Sequence, residues 1–121
     1  MDLVPHIWAP WWTKEYLFEA VLVGRVQCWA VGPQERIQLI IFTQIAIYPA
    51  ARILQSLFIL GNGLDEGLPV LAATLKRFAE LQDCAACEVT GRKGWKKKLA
   101  SEGFVQRGVV LECPVQKQRL N

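Results

Sequence analysis

The sequence predicts an α+β fold, a mixed and mostly antiparallel sheet with helices packed on its faces. Three observations carry this. The first half holds short runs rich in β-branched and aromatic residues, separated by Gly and Pro turns. The second half alternates segments of helical period with short strand-like runs. The whole chain has 121 residues, of which 52% are apolar and 21% charged, a size and composition that suit one domain burying ~65% of its unfolded surface. No repeat period is present, which excludes collagen, coiled coil and solenoid. The net charge of +3 comes mostly from one basic run, too weak a field to call for nucleic acid. Five tryptophans are the oddity, and three of them, Trp8, Trp11 and Trp12, crowd the N-terminus.

Residues 1–12 carry Pro5 and Pro10 without helical period and read as an extended arm. Thr13 is the expected N-cap of a first helix whose Tyr16, Leu17, Ala20 and Val21 form an apolar stripe, ended by Gly24. Residues 25–31 alternate polar and apolar, as a strand does, before the turn Gly32-Pro33-Gln34-Glu35. Residues 36–48 and 52–60 read as two further strands around the break Pro49-Ala50-Ala51, completing a three-stranded meander. After Gly61-Asn62-Gly63, a helix opens at Asp65 or Glu66 and runs to near Gln82, with Leu68, Leu71, Leu75, Phe78 and Ala79 on one face and Pro69 in its first turn. A strand over 85–90 follows, then a helix over 93–101 in which Trp95 and Leu99 share a face while Lys96, Lys97 and Lys98 point to solvent. Gly103 caps it, and residues 104–113 read as a last strand. The expected organisation is an arm at 1–12, a domain at 13–115 and a polar tail at 116–121.

Candidate chemistry is sparse. Cys84 and Cys87 have the spacing of a zinc or redox pair, but zinc needs four ligands and the chain offers no second pair. A redox pair precedes a helix, whose dipole lowers the thiol pKa, whereas this one leads into a strand. At least one of the two is expected in the core, and Cys28 and Cys113 lie in hydrophobic runs where a buried role fits. His6 is the single histidine and has no marked nucleophile partner. The glycine-rich turn ahead of a helix can present amides to a phosphate, yet Asp65 and Glu66 place carboxylates where that anion would sit and serve the helix dipole themselves. The basic run of Arg92, Lys93, Lys96, Lys97 and Lys98 suits a solvated helix face, a cofactor phosphate or an acidic partner. No signal segment follows Met1 and no apolar run reaches the ~20 residues of a membrane span, so a soluble protein of a reducing compartment is expected.

The order of elements, with Gly24-Arg25-Val26-Gln27-Cys28-Trp29, Tyr48-Pro49, Phe78-Ala79-Glu80 and Val89-Thr90-Gly91-Arg92-Lys93-Gly94-Trp95 leading to Gly103-Phe104, resembles a short, phage-type member of the GNAT N-acetyltransferase superfamily. The resemblance runs over residues 13–115. It implies a GNAT-like sheet and, for an active member, acetyl-CoA bound by a Gln/Arg-x-x-Gly-x-Gly/Ala loop after the family's fourth strand. Gly61, Asn62 and Gly63 stand at that loop without its leading residue in register. Arg92 and Lys93 are the cofactor contacts available from across the cleft, and Glu88 is a conceivable base. The family's asparagine after its fifth strand is replaced by Gly91-Arg92, and its thiolate-protonating tyrosine falls on Leu99.

Three departures at three functional positions imply a catalytically degenerate protein whose work is binding. In that reading it is a virion or head-associated component, found in the virion or the host cytoplasm, with no cofactor. Trp8, Trp11 and Trp12 would be its docking surface on a protein partner or a second copy, with no membrane span and no nucleic acid. The alternatives are an acetyl-CoA-dependent N-acetyltransferase with an atypical pyrophosphate loop, and an inhibitor of a host protein.

Overall fold

The computed structural model describes residues 12–61, 64–90 and 94–115. The chain runs α1 (Lys14–Leu22), β1 (Val26–Val31), β2 (Leu39–Ile47), β3 (Arg52–Gly61), α2 (Leu64–Leu81), β4 (Ala86–Val89) and α3 (Trp95–Ala100). The four strands form one sheet in the order β1-β2-β3-β4, antiparallel across the first three and parallel between β3 and β4. The parallel pair needs a crossover, and α2 supplies it.

Local chemistry sets the ends of each element. Thr13 caps α1 through its hydroxyl, which accepts from the Tyr16 backbone amide at 3.2 Å. Gly24 closes that helix at φ +83°, a conformation that glycine adopts without strain. At the end of α2 the same left-handed position is held by Asp83 at φ +56°, and the Cys84 amide reaches back to the Ala79 carbonyl at 2.8 Å. Between β2 and β3 the turn at Pro49-Ala50 is closed by the Tyr48 amide on the Ala51 carbonyl at 2.9 Å.

Helices cover both faces of the sheet. On one face Leu68, Leu71, Leu75 and Ala79 of α2 pack on Leu39, Ile41 and Leu54, with Trp95 and Leu99 of α3 against the margin. Gly67 lets α2 come close, because a Cβ there would meet Leu39 and Val31 side chains at about 3 Å. On the other face Leu17 and Ala20 of α1 pack on Val26, Phe42 and Phe58. Trp12 joins this second core edge-on to Phe58, with ring centroids 5.9 Å apart, and tilts against Tyr16 at 5.5 Å. One buried polar chain crosses the sheet: the Trp29 indole donates to Thr43 Oγ1 at 2.9 Å, and Thr43 donates to Gln27 Oε1 at 2.8 Å. A fully buried threonine is thereby satisfied.

The meander, the helix after Gly61, the strand before Thr90 and the Trp95 helix stand where the sequence places them, with ends shifted by one to three residues. Because α2 begins at Leu64, Pro69 falls in its second turn rather than its first. Residues 104–113 are not a strand. They run irregularly from α3, anchored by the Phe104 amide on the Leu99 carbonyl and by the Lys76 ammonium over the Phe104 ring. Their β-branched composition shows strand propensity, but propensity supplies no pairing partner. The two cysteines expected inside hydrophobic runs also differ: Cys28 and Cys113 are both exposed, Cys28 two residues beyond the buried Val26 on its face of β1 and Cys113 in the irregular segment. Residues 1–11 of the expected 1–12 arm and the tail at 116–121 lie outside the described residues.

Candidate functional site

β3 is ten residues long, but β4 covers only its first part, pairing Ile53 with Ala86, Leu54 with Cys87, Gln55 with Glu88 and Ser56 with Val89. Beyond Ser56, among the described residues, β3 is paired on the β2 side alone. The parting coincides with a bulge: Phe42 pairs with Phe58 and Thr43 with Ser56, so Leu57 is an extra residue on β3. A bulge of this kind bends the strand and sharpens its twist. The result is a main-chain edge over residues 57–61 that leads toward the first turn of α2. Unpaired edge groups of this sort are a template for another extended chain of amides.

A polar row crosses the sheet at the root of this edge. Gln44 of β2, Gln55 of β3 and Glu88 of β4 are register partners. Gln55 Nε2 donates to Glu88 Oε1 at 3.1 Å and to the Tyr48 hydroxyl at 3.1 Å, while Gln55 Oε1 accepts from Gln44 Nε2 at 3.4 Å. Tyr48 and Glu88 are exposed, so the row is open to a ligand. The sequence reading singles out Glu88 and misses Gln55 and Tyr48 as its partners. A signal was available, since Gln44 and Gln55 are polar breaks in apolar strands and stand equally far from the turn at Pro49-Ala50.

The other expected site residues divide by position. Gly61 ends β3 at φ +121°, and a Cβ there would run into the Gln38 carbonyl, so this glycine is required by the approach of β2. Asn62, Gly63, Arg92, Lys93, Trp8 and Trp11 lie outside the described residues. Glu66 is exposed in the first turn of α2 and accepts from Gln38 Nε2 at 3.4 Å. Leu99 is half-buried against the leucine-rich core. Trp12 packs with the domain.

Cys84 and Cys87 are both half-buried at the margin of the α2 core. Burial raises the Cys87 thiol pKa, the neighbouring Cys84 adds to the shift, and the Lys76 ammonium opposes it. Cys28, exposed as a residue, is raised as well, by the partial desolvation of its sulfur alone. The raised Cys87 pKa favours the protonated thiol, the reverse of what a redox nucleophile needs. Among the described residues no cluster of three or more His, Cys, Asp and Glu side chains is placed to hold a metal, and no helix is long and apolar enough to cross a membrane. An open groove of about 470 Å³, lined by Trp29, Ala73, Thr74, Arg77, Phe78 and Leu81, lies at the β1 side of α2, away from the β3 edge.

No family model matches the chain, and no curated protein matches it by sequence. Solved structures do match. An acetyltransferase of Trypanosoma brucei aligns over 84% of this chain and 77% of its own, with a TM-score of 0.68 and 10% identity. A GNAT family acetyltransferase of Staphylococcus aureus aligns over 84% and 74%, with a TM-score of 0.64 and 12% identity. The chain has the GNAT fold. A predicted acetyltransferase of Clostridium acetobutylicum, solved with acetyl-CoA, also shares the GNAT architecture, covering 83% of this chain and 71% of its own at a TM-score of 0.62 and 13% identity.

Proposed function

We propose that this GNAT-fold chain binds an acyl-coenzyme A along the open edge of β3 and acts as a slow N-acyltransferase. The observation that supports this reading is the parting of β3 from β4 after Ser56, which among the described residues leaves the main chain of residues 57–61 unpaired on one side. The pantetheine arm of coenzyme A is an extended chain with two amides, the shape such an edge accommodates. At the far end the fit is poorer, because Asp65 and Glu66 bring negative charge to the first turn of α2, where a pyrophosphate would meet the helix dipole. Arg92 and Lys93 are the cations assigned to offset that charge.

When bound, the thioester would supply an activated acyl carbon and a thiolate leaving group with an ordinary thiol pKa near ~8.5. Glu88 would receive the proton of the incoming amine. Leu99 has no proton to give, and loss of a general acid costs roughly 10²–10⁴ in rate without affecting binding. The chain is therefore a weak catalyst in this reading rather than an inert scaffold.

Titration calorimetry of acetyl-CoA into the full chain tests it. Binding on the order of micromolar Kd, lost in Gly63→Glu or Arg92→Glu, is the expected result. An absence of binding would leave the second reading, in which the fold serves only to dock on a protein partner. That second reading draws on Val105, Val109, Val110, Leu111 and Val115, apolar side chains that are 72–88% exposed along one irregular segment and offer apolar surface to a partner. The partner would be the virion or host component that the resemblance to phage proteins implies. Proteomics of purified particles, set beside pull-down from host lysate, separates those two.

A further inference from the structure

The hydrogen bonds around Gln55 leave a specific pair of capacities unused. Its amide nitrogen has two hydrogens, and both are engaged, one by the Tyr48 hydroxyl and one by Glu88 Oε1. Its oxygen is engaged by Gln44. The amide orientation is thus fixed, because the flipped form would set its oxygen against the Glu88 carboxylate. Tyr48 accepts from Gln55 and so keeps its own O–H to donate. Glu88 keeps Oε2 as a charged acceptor. Both groups are exposed and both are held by one residue: the strand register places Glu88 beside Gln55 at the root of the open β3 edge, and the hydrogen bond from Gln55 brings the Tyr48 hydroxyl to it from the turn. One charged acceptor beside one neutral donor complements a ligand in which an ammonium sits next to a carbonyl.

We propose that this cluster binds an α-aminoacyl group, in an amino-acid amide or at the N-terminus of a peptide. Glu88 accepts from the ammonium, Tyr48 donates to the adjacent carbonyl oxygen, and Gln55 is the positioning residue for both. The inference names the acceptor side of the acyl-transfer reading, and its catalytic meaning rests on that reading, while the binding site stands independently of it.

Nuclear magnetic resonance titration of the full chain with alaninamide tests the site, with ethylamine lacking the carbonyl and N-acetylalaninamide lacking the ammonium. Alaninamide is expected to bind about tenfold tighter than either control, the factor appropriate to one hydrogen bond involving a charged group, and to shift the amides of Gln55 and Glu88. Glu88→Gln should lose about tenfold for both amines, by the same reasoning. Tyr48→Phe should keep ethylamine binding and lose the preference for alaninamide. Gln55→Leu should lose that preference with an unchanged melting temperature, which a merely structural role would not produce. Trialanine amide, compared with alaninamide, distinguishes a peptide terminus from a free amino-acid amide, and binding of either supports the site. Equal affinity for alaninamide and ethylamine in the unaltered chain, or an unaffected Glu88→Gln, overturns it. If alaninamide binds and acetyl-CoA does not, the acyltransferase reading falls and the site stands. If acetyl-CoA binds and alaninamide is not discriminated, the site alone falls.

Discussion

The β2–β3 hairpin and the β3–β4 pair share a strand and differ in almost everything else. The hairpin is paired from Leu39 with Gly61 to Ile47 with Arg52, interrupted by one bulge, and it carries the fully buried Ile41, Leu54 and Phe58. The β3–β4 pair spans four residue pairs, and β4 buries only Cys87 and Val89 in part. A ladder that satisfies its own backbone over its whole length has nothing left for a ligand. One that stops halfway offers main-chain groups and a change of strand direction, and the polar row of Gln44, Gln55 and Glu88 stands where the full ladder gives way to the partial one. Burial is concentrated in the hairpin, and the incomplete pair carries the site proposed above, the division expected when a rigid element supports a site beside a more weakly held one.

The contrast can be broken most severely at Gly61. Gly61→Ala adds a Cβ against the Gln38 carbonyl and forces a side chain into φ +121°, and the strain and overpacking together should cost about 4 kcal/mol in chemical denaturation. Next, Ile41→Ala in the hairpin should cost about 3 kcal/mol, whereas Cys87→Ala on β4, removing one half-buried sulfur, should cost about 1 kcal/mol. Near-equal losses would show that the β3–β4 pair is as well packed as the hairpin.

Titration of the thiols sharpens the comparison. Because burial raises the Cys87 pKa in the folded chain, the folded state holds the proton that the unfolded state gives up. Stability is then fully present below the ordinary thiol pKa and declines as pH rises through the folded value. Denaturation midpoints measured across the alkaline range should fall, and Cys87→Ala should flatten the fall, with Cys28 contributing in the same direction.

The smallest effect is a gain. Asp83 occupies the left-handed position at the end of α2 just before β4, so Asp83→Gly should stabilise the chain by about 0.5–1 kcal/mol, read as a raised melting temperature.

Where the sequence spoke clearly, it did so through local chemistry. Thr13, Gly24, Pro49 and the leucine period of α2 announce caps, a turn and an amphipathic face, and each is where it was expected. The hairpin register was implicit as well, because a short turn fixes which residues oppose each other. The partnership of Gln55 with Glu88 was not legible, since a parallel register depends on how an 18-residue helix returns the chain. The segment 104–113 misled for a related reason. Val105, Val109, Val110 and Leu111 have strand propensity, but no neighbouring strand takes them up. Leu99 shows the opposite case: the residue at the proton-donor position of the family resemblance is a packing residue, consistent with its chemistry.

The crossover through α2 also sets an order of assembly. The β2–β3 hairpin closes over the two-residue turn at Pro49-Ala50, so it can form while the rest of the chain is unfolded, at the small entropic cost of a short loop. Pairing of β4 must wait for α2 to form and dock, because Gln55 and Glu88 are brought together across 33 residues. The Gln44–Gln55 and Gln55–Tyr48 contacts can therefore close with the hairpin, whereas the Gln55–Glu88 bond that completes the polar row waits for α2 and, on synthesis from the N-terminus, for a scaffold already made.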